Sequence, residues 1–435
     1  MTIELPENSF PKVVIIGGGF GGINLAKKLR NKEVQVIMFD RHNYHTFQPL
    51  LYQVATGGLE PDSIAYPLRK IFKNQRNFTF RVAEVLSIDP QKKLIQTSIG
   101  YTNYDFLVIS TGSETNFFGN KEIEHTTMPM KTVPEALDLR SLILQHFEAA
   151  LQEDSINEQE AHMNFVVVGG GPTGVEICGA LAELKNHVLP KDYPDLDLRK
   201  MQINLVEGTP ELLSAMSENA SAKAGKFLKE MGVNLWLNAR VLSYDGKTAV
   251  LHTGRKFESY NVIWTAGVKG KTIEGLDPEV LIRGNRYKVN QFNQIEGYQD
   301  IFAIGDVAAM ISDEFPNGHP GVAPAAMQQG SQLAKNIIRL INAGPMEPFS
   351  YFDKGSMATI GRNKAVVDIG YVRFAGLFAW FVWMFVHLMT LVGFRNKMVV
   401  FVNWIWNYFS FDRGIRLIIR PVNRKRGITD ERELL

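Results

Sequence analysis

VVIIGGGFGGI at residues 13–23 and VVVGGGPTGVE at residues 166–176 carry one pattern twice: a β-branched apolar run, glycines spaced G-x-G-x-x-G, and the opening of a helix. In the first copy Lys12 to Ile16 reads as a buried parallel strand. Gly17 then makes the tight turn, Gly19 admits a pyrophosphate to the backbone, Phe20 follows it, and Gly22 lets the helix pack close on the strand. The helix that continues as INLAKKLR aims free N–H groups at that phosphate. The next strand, VQVIMFD, ends in Asp40, 23 residues after Gly17, where a carboxylate holds ribose hydroxyls.

In the second copy Asn164 to Val168 is the strand, and Gly169, Gly171 and Gly174 are the glycines. Its following strand, QINLVE, ends in Glu207, 38 residues after Gly169, where about 20 is usual. The extra length falls in NHVLPKDYPDLDLRK, whose prolines and charges suit a surface excursion. Glu207 would accept hydrogen bonds from an adenine ribose and repel a 2′-phosphate, which favours NADH over NADPH.

At 435 residues the chain exceeds what one hydrophobic core serves, so two or three domains are expected. Hydrophobic residues at 45% and charged residues at 21% exclude a disordered or fibrous chain. A net charge of +2, with no basic stripe among base-stacking aromatics, gives no support to nucleic acid binding. The single cysteine, Cys178, excludes a disulfide framework, a CxxC redox pair and a cysteine-rich metal site, and reads as a small buried hydrophobe. None of the nine histidines falls into a metal-binding pattern, so no metal is expected. The start, MTIELPENSFPK, lacks the charge and apolar run of a secretory signal, so the bulk is expected in the cytoplasm.

Two phosphate cradles in one chain imply two dinucleotides held together, and electron transfer explains that need. A flavin takes a hydride from a nicotinamide and releases electrons one or two at a time. One site would hold FAD permanently and the other would bind NADH in passing. YDFLVISTGS (104–113), with Thr111 and Gly112, and YNVIWTAGV (260–268), with Gly267, are strands ending in glycine turns. Such turns are expected where a sheet's carboxyl edge meets a nucleotide.

DIFAIGDVA (300–308), a strand ending in Gly305 and Asp306, resembles the second FAD signature of the two-dinucleotide-binding-domain flavoproteins, in which the Asp contacts the ribityl and pyrophosphate portion. The resemblance implies an α/β fold with two Rossmann-like domains, the FAD domain discontinuous and the NADH domain inserted in it. The expected limits are 1–120 and 291–350 for FAD binding, 121–290 for NADH binding and 351–435 for a helical membrane-attachment region. Disulfide reductases and sulfide:quinone oxidoreductases of this group depend on cysteines that this chain lacks. RHNYHTFQPLLYQVATGGLEP (41–61) resembles instead the segment carried here by type II NADH dehydrogenases, single-subunit FAD enzymes that reduce quinone without pumping protons. GGGFGG, FQPLLYQVATGG, STG, GGGPTGVE, TAG, IGDVA, a glutamine-rich helix start and an apolar end follow in the family's order.

That resemblance implies further residues. Gln48 and its neighbours Tyr44, Phe47, Pro49, Leu50, Leu51 and Tyr52 would lie beside the flavin and the quinone path, although such a cluster also suits a core. Glu176, inside the first helical turn, either complements the helix dipole or sits by the nicotinamide and relays protons to the quinone. In HPGVAPAAMQQGSQLAKNIIRLI (319–341) the family shows A-Q-x-x-x-Q at the flavin and quinone; here Ala323 is followed by Pro324, and Gln328 keeps the final glutamine. Gln328 and Gln329 also suit an ordinary helix surface. Lys364 matches a family lysine near the quinone tunnel, and alone reads as a solvated lysine in a turn.

FAGLFAWFVWMFVHLMTLVGF (374–394) runs 21 residues with no formal charge apart from His387. As one helix it would measure roughly 31 Å, enough to cross a bilayer. Trp, Tyr and Phe follow in 398–411, then Arg413, Arg416, Arg420, Arg424, Lys425 and Arg426 suit anionic lipid on the cytoplasmic side of the inner membrane. A buried dimer-forming helix, one spanning segment and in-plane attachment all fit; the monotopic family favours the last. The resemblance also implies ubiquinone or menaquinone as acceptor, a lipid bilayer surface and a homodimer as partners. A soluble ferredoxin-type or rubredoxin-type reductase has no use for the apolar end; an NADH-sensing flavoprotein would bind NADH and pass electrons to no quinone.

Overall fold

The computed structural model describes residues 1–410 except Glu7, together with Gly414, Arg416, Leu417 and Ile418. Arg413, Arg420, Arg424, Lys425 and Arg426 of the cationic tail lie outside the described residues. The chain forms two compact units: Met1–Thr46, Tyr66–Glu114 and Val268–Lys354 make the first, and Phe47–Ala65, Thr115–Gly267 and the chain from Gly355 make the second. In this division the middle segment of the second unit runs from Thr115 to Gly267, and residues 47–65 and the carboxyl region fall in the same unit.

The first unit holds a five-stranded sheet in the order Ile301–Ala303, Phe106–Ile109, Lys12–Ile16, Gln35–Asp40, Phe78–Val82, parallel throughout. Continuous apolar runs make these strands because both faces are covered. Val13 and Ile15 face a core with Leu25, Leu333 and Ile337, while Val14 and Ile16 face another with Ile88, Ile95 and Tyr287. The helices Phe20–Lys28 and Ala323–Ile341 pack against one another where Gly330 meets the Gly21 carbonyl.

The second unit repeats the plan. Its sheet runs Met128–Pro129, Asn261–Trp264, Phe165–Val168, Ile203–Val206, Val233–Trp236, again all parallel. In each unit the glycine-rich strand is central and a three-stranded antiparallel meander follows the third strand, over Val85–Asn103 in one and Val241–Glu258 in the other. The strand order thus reverses beside each glycine turn, the place where open α/β sheets bind ligands.

The residues between Glu183 and Met201 depart from the surface excursion expected of them. The helix Pro172–Glu183 continues through a π turn, Leu184–Val188, into Leu189–Asp192, and Val188, Leu189, Tyr193, Leu196 and Leu198 are buried. Tyr193 stacks on Phe147 at 5.2 Å and donates to Glu148. Apolar residues scattered among charges hide this small core from a compositional reading.

The carboxyl region also departs from expectation. Residues 374–394 do not form one helix: Val372–Ala375 is the last strand of a sheet with Ser356–Gly361 and Lys364–Ile369, and the helix runs only from Leu377 to Thr390. Its 14 residues span roughly 21 Å. A turn with Gly393 at φ 87° leads to a second helix, Phe394–Ser410. No helix among the described residues is long and apolar enough to cross a membrane. Neither is apolar on every side in its setting. Ala379 and Trp383 are buried while Phe378, Phe381, Phe385 and Met389 stay exposed, and on the second helix Asn396, Val400 and Trp404 are buried while Met398, Phe401, Ile405 and Phe409 are exposed.

Candidate functional site

Each unit builds its phosphate cradle from the same contacts. In the first, the Gly17 N–H donates to the Phe39 carbonyl at 2.8 Å, and the Ser110 hydroxyl donates to the carbonyls of Ile16 and Gly17 at 2.9 and 2.8 Å. In the second, the Gly169 N–H donates to the Val206 carbonyl at 2.8 Å, and the Thr265 hydroxyl donates to Val168 and Gly169 at 2.9 and 3.2 Å. Ser110 and Thr265 were not singled out from the sequence. The signal was there, in the hydroxyl residue that opens STG and TAG.

The two acids occupy matching positions. Asp40 accepts from the Gly18 N–H at 2.6 Å and, through its other oxygen, from the His42 N–H at 2.7 Å. Glu207 accepts from the Gly170 N–H at 2.5 Å and, through its other oxygen, from the Thr209 N–H and hydroxyl at 2.8 and 2.9 Å. The long spacing to Glu207 is therefore absorbed before the strand, and the register Phe165↔Ile203 brings the acid to the turn as Lys12↔Gln35 brings Asp40. Intrahelical bonding begins at Ile23 N to Gly19 O and at Val175 N to Gly171 O, each 3.0 Å, which puts a helix N-terminus, the ordinary place for an anion, directly after each turn. Around Gly112 and Gly171 no atom of the described residues beyond the chain neighbours lies within 4 Å of a notional Cβ, which leaves room for a nucleotide. Phe20 packs edge-on against His45 at 4.7 Å, and burial pushes that imidazole down to about 4, keeping it neutral beside the first cradle.

Opposite the first cradle's strand ends, the Ser113 hydroxyl donates to Asp306 at 2.6 Å and the Thr111 hydroxyl to the Lys271 carbonyl at 2.5 Å. Gly305 takes φ 75°, and its N–H donates to the Gln329 side chain at 2.7 Å. The neighbouring Gln328 does not make this contact. Its amide instead donates to and accepts from the Phe352 backbone at 2.9 and 3.0 Å, while the buried Gln329 faces the turn. The helix begins only at Ala323, with Pro324 in its first turn, and that register turns Gln329 inward.

In the second unit, Glu176 does not lie on the helix surface. It is 8% exposed, and burial raises its carboxyl well above the usual carboxylate range against the opposing effect of a backbone hydrogen bond from Thr359. Glu176 lines a cavity bounded by the helix Pro172–Glu183, the hairpin Ser356–Ile369, both carboxyl-terminal helices and the segment from Tyr52 to Gly58. Gly179 sets the helix against the hairpin: an added Cβ would lie 1.6 Å from the Ile360 carbonyl oxygen.

Several bonds fix the cavity's walls. The Trp404 indole donates to Gln53 at 2.8 Å, and Gln53 donates to the Tyr52 hydroxyl at 2.8 Å. Arg362 at the hairpin tip donates to the carbonyls of Asn407 and Tyr408 at 2.6 and 2.8 Å, while its own N–H donates to Glu183 at 2.6 Å. Arg362, missed in the sequence, thus ties the nucleotide helix to the last helix. Lys364, expected there, begins a strand and pairs with Glu230 at 3.1 Å, outside the cavity lining. Gln48 is exposed, whereas Phe47, Leu50, Leu51 and Tyr52 are buried.

The model of the pyridine nucleotide-disulphide oxidoreductase family matches residues 11–330, and that of the NDH2 C-terminal domain matches 354–413. The type II NADH:quinone oxidoreductase Ndh of Mycobacterium tuberculosis is 37% identical over 418 residues, covering 93% of this chain and 89% of that protein. The chain belongs to the type II NADH:quinone oxidoreductase family. The Haemophilus influenzae member is 32% identical over 387 residues, covering 81% of this chain and 86% of that one. In fold, NDH2 from Plasmodium falciparum, solved in complex with NADH, superposes with a TM-score of 0.85 at 21% identity, covering 94% of this chain and 100% of that one. The α/β architecture with a helical carboxyl region is that of this family, and the cavity beside Glu176 is walled in part by the segment that its C-terminal domain model matches.

Proposed function

We propose that this protein oxidises NADH and reduces a membrane quinone through bound FAD, without moving protons across the membrane. The observation that carries the reading is the doubled cradle, with an acid on each turn; a buried carboxyl that burial raises above its ordinary range, in a cavity of the second unit, supports it. FAD fits the first unit: the Gly17–Gly22 turn would hold its pyrophosphate, Asp40 its ribose, and Thr111, Gly112, Gly305 and Asp306 its remaining length. When bound, FAD accepts the hydride of NADH and supplies two electrons to the quinone. NADH would lie on Gly169–Gly174, with Glu207 on the adenine ribose and Gly267 at the neighbouring strand end.

The chain's own groups position and protonate. The quinone enters the cavity lined by Tyr52, Trp383 and Trp404, and Glu176 gives a proton to a carbonyl oxygen as the electrons arrive. NADH leaves as NAD⁺ after losing two electrons and one proton; the quinone gains two electrons and two protons, one from Glu176 and one from solvent, and the proton released by NADH oxidation restores Glu176.

Attachment is in the plane of a lipid surface. The exposed rows of Phe378, Phe381, Phe385 and Met389 and of Phe401, Ile405 and Phe409 support it, because contiguous apolar surface of this kind marks a membrane or partner site. Burial pushes His387 down to about 4, so the first helix carries no charge at neutral pH. The cytoplasmic leaflet is the face these helices meet, and a second copy of the chain, implied by the resemblance, is the other occupant the rows could take.

The purified protein is expected to be yellow, to bleach with NADH in the absence of oxygen and to recolour when a short-chain quinone is added. Bleaching without recolouring would leave an NADH sensor, and a colourless protein would end the proposal. Anionic vesicles should carry it upward in a flotation gradient; if it stays in the lower fractions, lipid is not what these rows bind. Glu207→Ala is expected to narrow the preference for NADH over NADPH by roughly tenfold, since a carboxylate on the ribose repels a 2′-phosphate. The ratio of kcat/KM values for the two nucleotides measures it, and an unchanged ratio removes Glu207 from the ribose.

A further inference from the structure

Resting on the reading of the Glu176 cavity as the quinone site, we propose that the indole N–H of Trp383 is the donor that seats a quinone carbonyl there. Trp383 lines the cavity, is 2% exposed, and its Nε1 is a buried donor without a hydrogen-bond partner among the described residues. An indole N–H can only donate, and buried indoles as a rule find an acceptor. The ring cannot turn to find one. It stacks on His387 at 4.1 Å with 25° between planes, His387 bonds the Trp383 carbonyl at 2.7 Å, and Trp404 lies 5.8 Å away, tilted at 39°. Neighbouring polar groups of the lining already have partners: Trp404 on Gln53, Gln53 on Tyr52, Asn407 on the Gly58 carbonyl at 3.1 Å.

What is missing is an acceptor brought from outside, flat enough to enter between aromatic walls. A quinone ring meets both conditions, since its two carbonyl oxygens only accept. The same N–H strengthens its bond as charge grows on that oxygen during reduction, the arrangement that stabilises an oxyanion. Trp383 keeps its proton throughout, and Glu176 supplies one.

The test compares holoenzyme variants by titration calorimetry of a short-chain benzoquinone with the oxidised protein, and by separate KM values for quinone and NADH. Trp383→Phe is expected to raise the quinone Kd and KM about tenfold, or ~1.4 kcal/mol, with NADH KM and ferricyanide reduction unchanged. Trp380→Phe removes an indole from the same wall and should cost quinone binding less than about threefold; an equal loss in both variants means generic packing and overturns the proposal. Trp383→His keeps a ring N–H and should bind within about threefold of the parent, a comparison that stands even where the Phe variant fails to fold. If His is as weak as Phe, or Phe binds like the parent because only water uses the N–H, Trp383 is not the donor. Met384→Trp fills the cavity: binding undiminished there refutes the quinone reading itself, whereas binding lost there but kept in Trp383→Phe refutes only the role of Trp383.

Discussion

Glu176→Gln is expected to slow quinone reduction roughly 100-fold while leaving the KM for NADH and the bleaching of the flavin near their parental values. Glutamine keeps the shape and one hydrogen bond but cannot give up a proton. Stopped-flow mixing separates the two half-reactions, and an equal slowing of both would place Glu176 at the nicotinamide and not at the quinone. A second readout follows from its titration. Burial raises the folded-state pKa above that of the unfolded chain, so the neutral carboxyl costs nothing at acid pH and stability is lost as pH rises through the raised pKa. The parent should therefore lose thermal stability as pH rises from the ordinary carboxylate range toward the raised pKa, and Glu176→Gln should lose less. Parallel Tm profiles for the two proteins would mean that the carboxyl is not held protonated by the fold.

Gly174→Ala is expected to weaken NADH binding sharply while FAD stays bound. A Cβ at this position would lie 1.8 Å from the Gly169 carbonyl oxygen and 2.9 Å from the Thr265 hydroxyl. The first of these is backbone in the turn itself, so the helix must retreat from the strand and the cradle opens. Overpacking of this kind costs roughly 1–3 kcal/mol, about fivefold to more than a hundredfold in NADH affinity. The mirror experiment is Gly22→Ala, where the Cβ would meet the Gly17 carbonyl at 2.1 Å. That variant should lose FAD instead. Flavin absorbance and NADH titration read the pair; if either substitution costs the wrong nucleotide, the assignment of the two cradles is reversed.

What was legible in the sequence follows from how local each feature is. Both cradles are written in consecutive residues, since the turn, helix start and strand need only neighbours, and Asp40 and Glu207 each close on the turn although their spacings differ. Gln328 and Gln329 show the limit: two identical neighbours differ by the 100° that one residue turns on a helix, and only the start of Ala323–Ile341 decides which faces Gly305. Arg362 and Lys364 differ in the same way, at a hairpin tip whose register sends one to Asn407 and the other to Glu230. The run 374–394 misled because hydropathy alone does not see that Phe374 and Ala375 pair with Val367 and Val366 in a sheet.

The last helix, Phe394–Ser410, wears its chemistry inside out. Asn396, Asn403, Trp404 and Asn407 fall on one stripe and bond the segment from Gln53 to Ala65: Asn396 to the carbonyls of Asp62, Ser63 and Ala65, Asn403 to Glu60, Trp404 to Gln53, and Asn407 to Gly58. A water-facing amphipathic helix clings by its oily side, and hydrocarbon solvent would loosen that grip. Directional bonds grow stronger in such surroundings, so detergent or lipid that dissolves greasy contacts should leave this fastening intact.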